Sequence, residues 1–243
     1  MPETAQIIML VLVGAGAGFV QRVSGFGLGI FAMLFLPHFM PTHTAAAAVS
    51  CLFSSGTSTY NAAKYRKNIP FRTIIPLLIA AFLMIPVAVY FASSVSGRFF
   101  KIFFGSVLVI LSVYFLFFDS KIKIRPTVRN GIIAGGISGI LNGLFSTGGP
   151  PVVLYLTHAA KDKESYFAGI QFFFCLTNIY SVIFRLINGN LTSDVLVSAA
   201  IGFCGCMAGD FVGRLVFDKL DAKKFKRIIY IGMTVSGILM ILN

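Results

Sequence analysis

The sequence predicts an all-α integral membrane protein made of two inverted repeats, residues 1–120 and 121–243, from three observations. First, 57% of the 243 residues are hydrophobic and 12% charged, whereas soluble domains carry about 25% charged residues. Second, uncharged runs such as Thr73 to Ala92, Ile102 to Phe118, Tyr166 to Phe184 and Val195 to Phe211 approach the roughly 20 residues that cross a bilayer. Third, a stretch of one character occurs twice, as Gly18-Phe-Val-Gln-Arg-Val-Ser-Gly-Phe-Gly-Leu-Gly-Ile-Phe-Ala-Met33 and Gly139-Ile-Leu-Asn-Gly-Leu-Phe-Ser-Thr-Gly-Gly-Pro-Pro-Val-Val-Leu154. With Gly18 laid on Gly139, Gln21 falls on Asn142 and Gly27 on Gly148, the pattern of a duplicated membrane unit whose breaks are its functional centre.

Taken in order, the apolar segments are 5–22, 26–40, 44–63, 70–92 and 98–118 in the first half, and 129–145, 150–158, 163–186, 193–217 and 225–242 in the second. The opening Met-Pro-Glu-Thr carries no basic residue ahead of the first segment, so it lacks the charged start of a cleaved signal and reads as mature membrane structure. The second segment of each half is short. Pro150 to His158 spans about 14 Å, half the hydrocarbon thickness, and is no ordinary crossing. Two arrangements remain: the first two segments of each half form a re-entrant hairpin, or they are two short crossings. Each half thus offers a discontinuous or re-entrant glycine-rich helix pair plus about three full transmembrane helices, eight to ten membrane segments in all. Pro76 and Pro86 fall inside one segment and are expected to kink it. Cys51, Cys175, Cys204 and Cys206 all lie in apolar runs, where a free thiol packs as a small hydrophobe.

The net charge of +12 does not point to nucleic acid, because Lys and Arg sit in short connections rather than along one face of a domain. Counting the glycine breaks as connections, the odd-numbered ones hold Arg22, Lys64, Arg66, Lys67, Arg72, Lys121, Lys123, Arg125, Arg129, Lys161, Lys163, Lys219, Lys223, Lys224, Lys226 and Arg227; the even ones hold Arg98, Lys101 and Arg185. A single kinked crossing at the start of each half would spread these charges evenly. The bias obeys the positive-inside rule and puts both termini outside, with the connection between the halves inside.

A helix that begins in mid-membrane presents unpaired N–H groups and the positive end of its dipole, which suits an anion. In the second break Ser146 and Thr147 are expected to cap, Gly148 and Gly149 to admit a ligand to the backbone, and Pro150-Pro151 to start the helix. Ser24, Gly25, Gly27 and Gly29 do similar work in the first. The competing reading is that these small residues only allow tight helix packing. Arg22 either grips the anion with its forked guanidinium or snorkels to the inner surface. Gln21, Asn142, Gln171 and Asn178 are candidate neutral donors. Asp210 and Arg214, four apart, either pair structurally or take part in coupling to protons. On this reading valine at Gly27 or Gly148 blocks the site, and alanine at Gly135 or Gly202 is mild.

With these residues the chain resembles the TauE/SafE sulfite exporter family, also called toluene sulfonate uptake permeases: Gly18-Phe19 with Gly25, Gly27 and Gly29, and Gly139 to Asn142 with Gly148-Gly149-Pro150-Pro151, are similar to the family's glycine-rich stretches, and the likeness covers essentially the whole chain. The resemblance implies a secondary transporter, not an enzyme, that moves a small sulfur oxyanion or organosulfonate across a bacterial inner membrane by alternating access. Its partners are then the anion and the bilayer, with no cofactor, metal or nucleic acid, and the oligomeric state is open, a homodimer included. Two other classes fit the residues less well. A membrane-embedded hydrolase using Ser24 would need a base, and His38, His43 and His158 all lie near segment ends. A carrier for divalent cations would need several buried carboxylates, for which only Asp210 qualifies, and a carrier for carboxylate anions shares the site chemistry.

Overall fold

The computed structural model describes residues 4–117, 125–216 and 222–242, with the side chains of 216 and 222–229 excepted; Lys121, Lys123 and Lys219 of the charge pattern lie outside the described residues. The described residues form α-helices α1 (Thr4–Ser24), α2 (Leu28–Phe35), α3 (His43–Lys64), α4 (Phe71–Ser94), α5 (Gly97–Phe117), α6 (Val128–Phe145), α7 (Gly149–Ala159), α8 (Lys163–Ile187), α9 (Ser193–Val216) and α10 (Ala222–Leu242), with short 3₁₀ turns at Leu36–His38 and Arg66–Asn68 and no strand. Each apolar segment of the sequence becomes one helix. Five of them, α1, α4, α5, α8 and α9, are long and apolar enough to cross a membrane, and the chain is a multi-pass membrane protein.

Local chemistry sets the helix starts. Thr42, Thr127 and Asp162 are extended N-caps whose side-chain oxygens accept from Ala45, Asn130 and Ser165 N–H at 3.0, 3.3 and 2.7 Å. The bond from Ser165 N–H holds the exposed Asp162 carboxyl below the usual carboxylate range. Although Pro76 and Pro86 lie inside it, α4 continues as one helix from Phe71 to Ser94.

Helix pairing follows the small residues. On α1 and α9, Gly14 lies against Gly202, Gly18 against Cys206, and Gly213 against Arg22, so the two helices run parallel in backbone contact. The run Gly131, Gly135, Gly139, Gly143 on α6 does the same against α4, with Gly135 at Leu77, Gly139 at Ala81 and Gly143 at Ala88. Helices α5 and α10 meet antiparallel through Gly105 and Gly237, and α3 and α8 meet antiparallel through Cys51 with Asn178 and Thr59 with Cys175. Exchanging α1–α5 for α6–α10 carries each of these pairs into itself or into another of them.

The ends of the helices sort onto two faces. Gln6, His38, Pro41 and Asp194 line one pocket, and Pro41, Ser93, Lys101 and Asn190 line its neighbour, which defines the N-terminal face. Arg22, Tyr65, Lys163, Glu164 and Arg214 line a vestibule on the opposite, basic face. Helix α1 leaves the N-terminal face and α2 returns to it; α6 leaves the basic face and α7 returns, with the Tyr155 hydroxyl of α7 donating to Thr127 O beside the start of α6 at 3.3 Å. Each glycine-rich pair is therefore a helical hairpin with both ends on one face of the bundle, the first pair's on the N-terminal face and the second's on the basic face. Their short arms, 8 and 11 residues long, rise about 12 and 16 Å and stop inside.

Burial changes one sequence expectation. Arg185 does not sit in a connection on the N-terminal face: it is within α8 and 0% exposed. Removing it from the three cations assigned there leaves Arg98 and Lys101 and sharpens the charge asymmetry between the faces.

Candidate functional site

The two hairpin tips meet at one small cavity. It is lined from the first half by Gln21, Gly27, Leu28, Gly29, Ile30 and Ser54, and from the second by Asn142, Ser146, Thr147, Gly148, Gly149, Phe174 and Asn178. About 290 Å³ lies empty between these atoms, but only about 20 Å³ admits the centre of a water molecule. A space of about 10–15 Å³ by that measure already holds one water. A four-atom oxyanion thus enters only if the hairpins separate slightly.

Two helix N-termini are aimed at this space. Helix α2 starts after Gly27, whose φ of 100° is a left-handed conformation that favours glycine, and no side chain caps it. Helix α7 starts after Gly148, also without a side-chain cap, and Pro150 and Pro151 lack N–H groups. The first-turn N–H groups of Leu28, Gly29 and Ile30, with those of Gly148 and Gly149, are the donors such termini leave without intrahelical partners. Gly29 is where the tips touch, since a Cβ there would overlap the Ser146 carbonyl oxygen.

The expected caps of α7 are not caps. Ser146 instead closes α6 with φ 59°, the one positive φ outside glycine among the described residues, at a cost of about 1–2 kcal/mol for an L residue. Its hydroxyl, 5% exposed at the residue level, and that of Thr147, at 3%, have no hydrogen-bond partner, and neither has Asn142 Oδ1. An unmet buried polar group costs about 1–3 kcal/mol. Two such hydroxyls beside two uncapped helix N-termini form a donor-rich, uncharged pocket, the electrostatic complement of a small anion.

The amides position these tips. Gln171 Nε2 donates to Gly25 O at 3.0 Å, and Gln21 Nε2 donates to Gln171 Oε1 at 3.2 Å, which ties the first break to α8. At the second, Asn142 Nδ2 donates to Asn178 Oδ1, and Asn178 Nδ2 donates to Ser54 Oγ, each at 2.7 Å. Ser138 donates to Gly148 O and pins the turn.

Of the residues singled out in the sequence, Gln21, Gly27, Asn142, Ser146, Thr147, Gly148, Gly149 and Asn178 are brought to the cavity, and Gln171 supports it from behind. Ser24, Gly25 and Arg22 line the vestibule instead. The Ser24 hydroxyl bonds backbone, at 2.7 Å to Val20 O, and none of the hydrogen bonds it makes joins it to a histidine, so nothing supports a nucleophile there. Asp210 accepts from Arg214 Nε at 2.8 Å, a salt bridge that opens onto the vestibule, with Tyr60 under the guanidinium. No group of three metal-binding side chains occurs among the described residues.

The glycine substitutions also sort differently from the sequence expectation. At Gly135 an added Cβ meets Leu77 backbone and at Gly202 the Phe53 ring, so alanine is not mild at either. At Gly148 a Cβ lies 2.7 Å from Ser138 O, so valine there perturbs the tip itself and not only the cavity.

Sequence reasoning missed Leu28, Ile30, Ser54 and Phe174 in the lining, and above all Arg185. Its Nη2 donates to Gly143 O at 2.7 Å and to Asn142 O at 3.3 Å, capping the carbonyl end of α6, while Nε and Nη1 have no hydrogen-bond partner. Among the described residues the one ion pair is that of Asp210 and Arg214. A buried charge costs several kcal/mol, and a helix C-terminus returns about 0.3–1, at most about 2.

The profile of the family described as Sulfite exporter TauE/SafE matches residues 10–240. A curated relative from Cupriavidus necator, described as a probable sulfite/organosulfonate exporter TauE, is 24% identical over 208 residues, which cover 84% of this chain and 80% of that protein. No solved structure matches the chain.

Proposed function

We propose that this chain, which belongs to the sulfite exporter TauE/SafE family, is a secondary transporter that carries a small sulfur oxyanion or organosulfonate across the inner membrane by alternating access. The observation that carries the reading is the convergence of two uncapped half-helix N-termini and two unpartnered hydroxyls on one buried cavity. Sulfite and sulfonates present three oxygens on one centre, so different oxygens can accept from the two tips. The relative's described activity agrees with this substrate class. Equilibrium binding by the purified chain of sulfite, methanesulfonate, acetate and phosphate tests it: the sulfur oxyanions are expected to bind most tightly, and tightest binding of acetate would reassign the substrate.

The helix pairs that exchange with one another support an inverted-repeat arrangement, residues 1–120 against 121–243, in which one half rocks against the other about the cavity. The charge asymmetry supports a cytoplasmic basic face and periplasmic termini. Cysteines introduced after residues 68, 124 and 222 are then expected to resist impermeant thiol reagents in intact cells; labelling from outside would invert the topology.

Arg22 fits a recruiting role in this scheme. It stands in the vestibule with Lys163 and Glu164, and with Arg214 already paired to Asp210 its unpaired positive charge raises the local anion concentration and the rate of arrival. Arg22→Ala is expected to slow transport from the basic face several-fold at low salt with little effect at high salt, and Arg22→Lys to stay close to the parent. A loss of equilibrium binding of about a hundredfold in Arg22→Ala would put the guanidinium on the bound anion.

A further inference from the structure

We infer that Arg185 marks a second oxyanion station, one layer beyond the cavity toward the N-terminal face, an inference that rests on the transport reading above. The cavity wall on that side is the Asn142 and Asn178 pair, joined at 2.7 Å. Behind it α3 and α8 each present a polar residue one turn further toward the N-terminal face: Ser50 lies one turn beyond Ser54, and Ser181 beyond Asn178, both residues 0% exposed. Arg185 follows Ser181 by one turn, and its guanidinium lies beside the Cys51 thiol. The hydroxyls of Ser50 and Ser181 lack hydrogen-bond partners, as do Nε and Nη1 of Arg185 apart from the Cys51 sulfur beside the guanidinium.

This layer combines a fully buried cation, free donors and no carboxylate pair among the described residues. Capping α6 occupies Nη2 alone. A residue that served only as a cap would leave Nε and Nη1 unmet on two different edges of the guanidinium, whereas an oxygen of a sulfite or sulfonate group can accept a charge-assisted bond from either of them. The layer also lies in the direction an anion must take between the cavity and the N-terminal face. The Asn142 and Asn178 pair then acts as the partition between the two stations, and its parting passes the anion from uncharged donors to the guanidinium.

The test uses the full chain in lipid nanodiscs with methanesulfonate as probe. Arg185→Gln is expected to bind it at least tenfold more weakly than the parent, about 1.4 kcal/mol, and Arg185→Lys, which keeps the charge but loses the Nε and Nη1 donors, to fall between. In the parent, methanesulfonate is expected to slow alkylation of Cys51 by N-ethylmaleimide, read on the Cys51 peptide by mass spectrometry. That protection is expected to persist at high probe concentration when Ser146→Ala and Thr147→Val weaken the central cavity. Unchanged binding in a folded Arg185→Gln chain overturns the inference and leaves Arg185 as a cap. Should Arg185→Gln fail to fold, alkylation of Cys51 decides: no protection in the saturated parent overturns the station. A parent chain that binds neither methanesulfonate nor sulfite overturns the transport reading itself, and this station with it.

Discussion

Replacing Ser146 by Ala and Thr147 by Val in one chain is expected to weaken oxyanion binding by about a hundredfold or more while making the protein more stable. The two effects share one cause. Both hydroxyls are buried without partners at the cavity, so each destabilises the fold by about 1–3 kcal/mol that an apolar replacement of similar shape removes. The bound anion would accept from both, and hydrogen bonds to a charged partner contribute about 1.5–3 kcal/mol each. Losing two gives at least about 3 kcal/mol, with each 1.4 kcal/mol a factor of ten. Val in place of Thr keeps the volume, so packing hardly changes. Binding by isothermal titration and melting in detergent measure the two quantities separately. A double variant that binds normally would remove these hydroxyls from the site.

Gly29→Ala is expected to disrupt the assembled site more severely than any other alanine replacement of a glycine in the tips. Its Cβ would fall on the Ser146 carbonyl oxygen, and both partners are backbone, which cannot rotate away. Overpacking of this kind costs about 1–3 kcal/mol or more, and here the hairpin tips themselves must part. Gly136→Ala, whose Cβ meets only Met84 Cγ at 4.0 Å, and Gly232→Ala, which meets nothing within 4 Å, are the controls. Both controls are expected to fold and bind as the parent does, with a gain of about 0.5–1 kcal/mol from helix propensity. Size-exclusion profile, melting and binding of the three variants check this. A Gly29→Ala chain that binds as the controls do would show that the tips are not apposed as described.

The helices were legible because hydropathy and length decide where a chain can cross a bilayer, and those quantities are written locally. The hairpins were legible only in part: the shortness of residues 150–158 marked an unusual segment, but that α1 and α2 turn back to one face needed the pocket that gathers Gln6, His38 and Asp194. Repeated glycines were ambiguous for a physical reason. Gly18 and Gly139, which open the two matching stretches, serve backbone packing against Cys206 and Ala81, whereas Gly27 and Gly148 begin the half-helices. One residue type does both jobs, since each requires the absence of a side chain. Arg185 was read as a connection residue because a cation two positions from a helix end usually reaches the interface. A periodicity signal was present: Gln171, Asn178 and Arg185 recur every seven residues on an otherwise apolar helix, with Ser181 on the same face, and all four are buried. Ser146 and Thr147 line the cavity without capping α7, since the cap position went to Gly148 and left both hydroxyls without hydrogen-bond partners.

The central claim is that an oxyanion sits between the two half-helix tips, and locating one directly tests it most sharply. Selenite, the heavier analogue of sulfite, can be found by anomalous scattering at the selenium edge in crystals of the chain. The expected result is a peak between Leu28 to Ile30 and Ser146 to Gly149, within hydrogen-bond reach of both tips. A peak confined to the vestibule of Arg22, Lys163 and Arg214, or to the basic segment from Lys121 to Arg129, with none between the tips, would contradict it.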